Sequence, residues 1–197
     1  MTRWSFKGVI ATAAFTSGDR FLAAVWDDTP LGRVSELRWT KPDGAHALLV
    51  ADEPSAELLR AIHPSDTVDV VELHVNGTDR WIELVAGPVE LQLQAKTGWR
   101  VPFNRPPIVT QLVEDRLARR FFGAPAFEHT PTGVRAWYRA DVIRPVAAGW
   151  ATVDGRDLGA LRARPAMVAV RPLFEDPTGR LDDVVHAAAR MRVLRAG

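Results

Sequence analysis

The chain of 197 residues predicts an α+β fold: a mainly antiparallel curled β-sheet, a cup or partial barrel, with two packed helices. Three observations point there. Apolar and polar residues alternate with period two through much of the chain, as half-buried strands require. Turn chemistry punctuates these runs at short intervals, at Lys41-Pro42-Asp43-Gly44, Asn76-Gly77 and Gly87-Pro88. Only two stretches have helical spacing, one between Asp52 and Pro64 and one over residues 108–122. No composition shift or linker divides the chain, so residues 1–197 read as one domain.

Each element has its own signal. A first strand starts near Trp4 or Gly8, and a second covers residues 19–26 after a Ser17-Gly18-Asp19 turn. In the next strand Leu37 and Trp39 share one face while Glu36, Arg38 and Thr40 share the other. Pro42 presets φ, Asp43 bonds its own backbone and Gly44 accepts positive φ, so a hairpin returns through the apolar run 45–51. Asp52 is a helix N-cap, Pro54 fits the first turn and Pro64 ends the helix. A second hairpin joins residues 68–75 to 80–85 around Asn76-Gly77, and the register switch between Val70 and Val71 predicts a bulge. Val89, Leu91, Leu93 and Ala95 alternate cleanly with polar residues as a half-buried strand. Residues 98–107 suit a lid or mouth loop, and Gly123 stops the helix over 108–122. Pro131-Thr132-Gly133 is a turn before a strand over 134–138; a strand over 142–153 breaks at Pro145 and Gly149; residues 154–159 form a loop before a strand over 167–174. The alternation of Val185, Ala187, Ala189, Met191 and Val193 favours a last strand from Ala188 onward over a helix.

Composition excludes several function classes. A net charge of +1 leaves no electrostatic footprint for nucleic acid. The chain has no cysteine, which removes disulfides, thiolate nucleophiles and cysteine-held metals and fits a reducing cytoplasm. The apolar run Val9-Ile10-Ala11-Thr12-Ala13-Ala14 resembles a weak secretory core but is too short to span a membrane. Neither G-x-G-x-x-G nor a P-loop nor G-x-S-x-G occurs, and the five histidines lack metal-binding spacing, so no cofactor or metal is expected.

What remains is a pair of ionic groups flanking the loop Asp27-Asp28-Thr29-Pro30-Leu31-Gly32. On a curled sheet Arg20 and Glu36 can both face the concavity. There a guanidinium holds a carboxylate bidentately, and an apolar cup favours a protonated carboxyl. The bland alternative is a solvated strand face with an incidental cross-strand pair. Trp99, Arg100 and the sole tyrosine, Tyr138, complete the candidate ligand-binding set.

The run DTPLGRVSE resembles the S-P-x-G-x-x-x-E segment of the acetoacetate decarboxylase-like superfamily, and Gly87-Pro88-Val89-Glu90-Leu91-Gln92-Leu93 is similar to its G-P-x-x-L-x-L strand. GVRAWYR (residues 133–139) and DGRDLG (154–159) also look like features of a family of single-domain proteins from high-GC bacteria, with which the arginine-rich, lysine-poor composition agrees. The superfamily resemblance implies a curled antiparallel sheet around a pocket, with Glu36 as the pocket glutamate. Those decarboxylases form a Schiff base on a desolvated lysine in a lysine-pair segment. This chain has only Lys7, Lys41 and Lys96, and none occupies a matching motif.

Two readings follow, with a third beside them. The first is a β-cup that binds a small apolar or carboxylate-bearing molecule through Arg20 and Glu36. The second is a lyase or enolising enzyme with Lys96 as imine former and Glu36 as acid/base. The third is a protein-interaction domain, including a homo-oligomer, built on an exposed strand edge or patch.

Overall fold

The computed structural model describes residues 2–63, 65–101, 127–129, 133–162 and 165–196. The expected helix over 108–122, most of the lid stretch and most of the Pro131–Gly133 turn lie outside them. The described residues form fourteen strands and two helices.

The N-terminal half follows the turn signals. Strands β1 (Thr2–Ser5), β2 (Lys7–Ala14), β3 (Arg20–Asp28), β4 (Val34–Thr40) and β5 (His46–Val50) come first. Val9–Ala14 lies within β2, which is paired on both sides, so the apolar run is sheet interior. The β4–β5 hairpin closes as expected: Lys41 N–H bonds the Ala45 carbonyl, Asp43 Oδ1 accepts from Ala45 N–H, and Gly44 has φ +92°. Helix α1 (Glu53–Ile62) starts where Asp52 Oδ1 accepts from Ser55 N–H at 2.7 Å. Its Leu58, Leu59 and Ile62 are buried against the sheet.

The single strand expected over 68–75, with a bulge between Val70 and Val71, is instead two strands, β6 (Thr67–Val70) and β7 (Leu73–Gly77), which part at Val71–Glu72 and pair with different neighbours. The next turn differs from expectation. Gly77 still pairs with Ile82, and Thr78 N–H bonds the Trp81 carbonyl, so residues 78–80 make the bend rather than Asn76-Gly77. Strands β8 (Trp81–Ala86) and β9 (Val89–Ala95) follow, then the two-residue β10 (Trp99–Arg100) and β11 (Phe127–His129).

Strand β12 (Arg135–Val153) is a single strand of 19 residues where two were expected. Pro145 and Gly149 do not break it; near Pro145 it changes partners. Residues 135–145 pair with β14 (Ala166–Asp176) and residues 146–153 with β9. Pro145 has no N–H to give, and its carbonyl accepts from Lys96 N–H. At Gly149 a Cβ would stand 2.5 Å from a Leu93 methyl, so only glycine lets β9 pass this close. Asp154 and Gly155, both at positive φ, turn β12 into the short β13 (Arg156–Asp157).

The chain ends in helix α2 (Arg180–Ala196), not in the expected strand. Its buried positions Leu181, Val185 and Ala188 follow helical spacing and pack with α1 over the sheet. Asp176 drives the start: its carboxylate accepts from the backbone N–H groups of Thr178, Gly179, Leu181 and Asp182 and from the Thr178 hydroxyl. These bonds outweigh the upward push of burial and hold its carboxyl below the usual range.

The strands order as β6-β5-β4-β3-β2-β14-β12-β9-β8-β7, and only β5–β6 is parallel. This mixed, mostly antiparallel sheet curls into a half-barrel. Its two path ends are consecutive in the chain: Val71 N–H bonds Val50 on one side, and Glu72 accepts from Gly87 N–H on the other. One face packs under α1 and α2; the other is turned inward, where β8 and β9 meet β2, β3, β4 and β5. None of the described helices is long and apolar enough to cross a membrane.

Candidate functional site

Alternation along β4 divides the ionic groups from the inward face. Leu37 and Trp39 point into the half-barrel, while Val34, Glu36 and Arg38 lie on the helix-covered face.

The inward face has a filled half and an open half. In the filled half Leu37, Ala23, Ala11 and Met167 form one lateral row, fully buried beneath Leu84, Leu91 and Leu93. Arg144, opposite Met167, marks the end of that cover: its Nη2 and Nε bond Asp79 Oδ2, in the β7–β8 turn, at 2.6 and 3.2 Å. One row further on, register aligns Ser35, Val25, Val9, Ala169 and Val142, with Arg100 at the end. These five side chains are only half-buried, and Arg100 is exposed. Beyond that row Arg139 and Arg171 stand directly opposite each other. Asp141, the extra residue of a β12 bulge, accepts from Arg171 Nε at 2.6 Å. The open half is therefore an aliphatic floor with arginines at its margin.

The second polar cluster is sealed under α1. Glu36 is fully buried; its Oε1 accepts from Trp26 Nε1–H at 3.0 Å and lies 3.6 Å from His63 Nε2. Arg38 Nη1 lies 3.4 Å from His63 Nδ1; arginine can only donate, so a bond there requires the tautomer that carries its proton on Nε2, facing Glu36. Arg38 Nε stands 3.9 Å from Glu36 Oε2, and neither of these two buried atoms has a hydrogen bond. Burial pushes the Glu36 carboxyl up, but His63, Arg38 and the Trp26 N–H outweigh it and hold it down at about 2. Glu36 is thus a permanent carboxylate across the physiological range.

The sequence-predicted residues divide among these regions. Arg100 lies on the inward row; Trp99, beside it on β10, is exposed and pairs with Ile143. Glu36, the pocket glutamate of the decarboxylase resemblance, lies beneath α1. Arg20 is exposed opposite Thr40, whereas Glu36 is opposite Ala24, about 13 Å further along β3. Arg38, not Arg20, is the guanidinium beside Glu36. Tyr138 is half-buried on the helix-covered face, edge-on to Phe174. Lys96 is exposed just beyond β9, and β3, β2, β14 and β12 stand between it and Glu36 in the sheet order. Among the described residues no group of three or more histidines and carboxylates is set to hold a metal ion.

Sequence reasoning missed Trp26, His63, Arg139 and Arg171. Arg38 was legible, since alternation already put it on the face of Glu36. His63 follows α1 and reaches Glu36 only through the docking of that helix. The Arg139–Arg171 pair depends on the β12–β14 register, which no local pattern encodes. Comparison with family models, curated proteins and solved structures finds no match.

Proposed function

We propose that the half-barrel is a small-molecule-binding domain whose ligand has an apolar body and a carboxylate. The observation that carries this reading is the open inward row, Ser35–Val25–Val9–Ala169–Val142, with Arg100, Arg139 and Arg171 at its margin. An aliphatic floor removes the body from water at roughly 25 cal/mol per Å². A guanidinium at the edge orients the head group by paired charge-assisted bonds. Glu36 takes no part in contact here; with His63 and Arg38 it fixes α1 to the back of the same sheet.

Thermal shift and intrinsic tryptophan fluorescence with hexanoate and phenylacetate test the proposal, with hexanol as the uncharged control. Hexanoate and phenylacetate should raise the melting temperature more than hexanol at equal concentration. Arg171→Gln, at an exposed position, should weaken carboxylate binding about tenfold and leave hexanol unchanged. A flat response to every compound at about 10 mM overturns the reading.

A further inference from the structure

The outer surface of β7, β8, β9 and the distal half of β12 is covered by neither helix, and its composition is unlike that of the rest of the molecule. Register aligns Trp81 with Gln94, and Glu83 with Gln92 and Trp150. Trp81 is 36% and Trp150 44% exposed, which is unusual for side chains of this size on a sheet. Trp150 is also held in place: its Nε1–H donates to Gln92 Oε1 at 2.6 Å, which draws the indole across β9 and presents a ring to solvent. Each indole has an exposed carboxylate for a neighbour. Glu83 follows Trp81 by two residues on the same strand face, and Glu90 is the diagonal cross-strand neighbour of Trp150. No lysine or arginine occupies an outward position in these paired stretches, although arginine is abundant in the chain. The paired stretches are therefore acidic and aromatic, with Lys96 at their border beyond Gln94, in a molecule of net charge +1.

We propose that this face docks an extended, arginine-bearing peptide segment, each guanidinium lying on an indole and reaching the carboxylate beside it. Charge decides the class of partner. An indole face attracts a cation through its quadrupole, and guanidinium can stack on the ring while donating edge-on to a carboxylate. The two indole–carboxylate pairs repeat that arrangement. Two strand spacings and one two-residue step separate the Cα atoms of Trp81 and Trp150 by about 12 Å. Residues i and i+4 of an extended peptide lie about 13 Å apart on one side, so two arginines at that spacing engage both indoles. A neutral oligosaccharide would also stack on tryptophan but would give the carboxylates no counter-charge.

The test uses the full chain and a fluorescein-labelled peptide, Gly-Arg-Ser-Gly-Ser-Arg-Gly, read by anisotropy. Binding should weaken about fivefold in Trp81→Ala or Trp150→Ala, and more in the double variant. It should also weaken when salt rises from about 50 to about 500 mM, with a shallower salt dependence in the Glu83→Gln/Glu90→Gln variant. Replacing both peptide arginines with glutamine should abolish it, and replacing them with lysine should reduce it. All four positions are exposed or partly so, and unchanged melting temperatures show that the variants stay folded. Peptide affinity that ignores both tryptophans overturns the proposal. So does the absence of binding, and so does salt-independent binding of cellohexaose in place of the peptide. Self-association that disappears in the tryptophan double variant also overturns it, because the occupant is then a second copy.

Discussion

Two adjacent residues of β4 sit in opposite worlds. Leu37 faces inward and is packed on every side by aliphatic and aromatic carbon; Glu36 faces α1 and is equally buried, yet it is a charge. The inward position is held by contacts that are individually weak, non-directional and indifferent to pH. The other is held by three partners drawn from β3, from β4 and from the residue that ends α1, through directional bonds and charge. Equal burial therefore does not mean equal robustness. A sheet can carry an apolar interior on one face and an electrostatic fastening on the other, one residue apart.

The largest effect expected is Leu37→Ala, which leaves a cavity in the filled half and should cost about 4 kcal/mol by chemical denaturation, with the same loss at pH 7 and pH 4. Glu36→Gln should cost about 3 kcal/mol at pH 7, because His63, Arg38 and the Trp26 N–H hold the fully buried carboxyl down at about 2 against its ordinary 4.5. The sign is that of a depressed acid. Its contribution is complete above pH 4.5, the ordinary value, and is lost as pH falls from there through about 2, so wild type and variant should converge in acid. A gap between them that stays constant with pH would remove the electrostatic half of the comparison.

Asp176→Ala should cost about 2 kcal/mol and loosen α2 first, seen as faster amide exchange in that helix than in β12. Val25→Ala, on the open row, should cost only about 1 kcal/mol because its side chain is already half in water. Its larger consequence should be weaker binding of hexanoate. Smallest of all, Lys96→Arg should leave stability unchanged within about 0.5 kcal/mol. Borohydride with acetoacetate should add no mass at Lys96, an exposed ammonium well removed from Glu36; an adduct there would revive imine chemistry.

Legibility followed the range of the interactions. The β4–β5 hairpin, α1 and β9 are specified by residues within a few positions of one another, and each forms where its cap, turn or alternation says it should. The C-terminal helix was misread because Val185, Ala187, Ala189, Met191 and Val193 do alternate. Alanine, however, tolerates helix well, and the decisive cap, Asp176, lies at the far end of the preceding strand. Pro145 and Gly149 look like breakers, but near Pro145 β12 gives up one partner for another, and at Gly149 it lets β9 pass close. Of the candidate site, the sequence marked Glu36 and Arg100 by residue type, but not that the first would lie beneath α1 and the second on the inward row. The site's remaining members depend on which strands lie side by side, and that is a property of the whole sheet.

The junction at Val71–Glu72 bears on how the interior is reached. Because the first and last members of the strand path are consecutive in the chain, β7–β9 are tethered at both borders, by β12 along one and by that dipeptide along the other. A flap moored on two sides cannot swing away like a door. On the proposed reading a ligand therefore enters endwise, past the arginines at the rim.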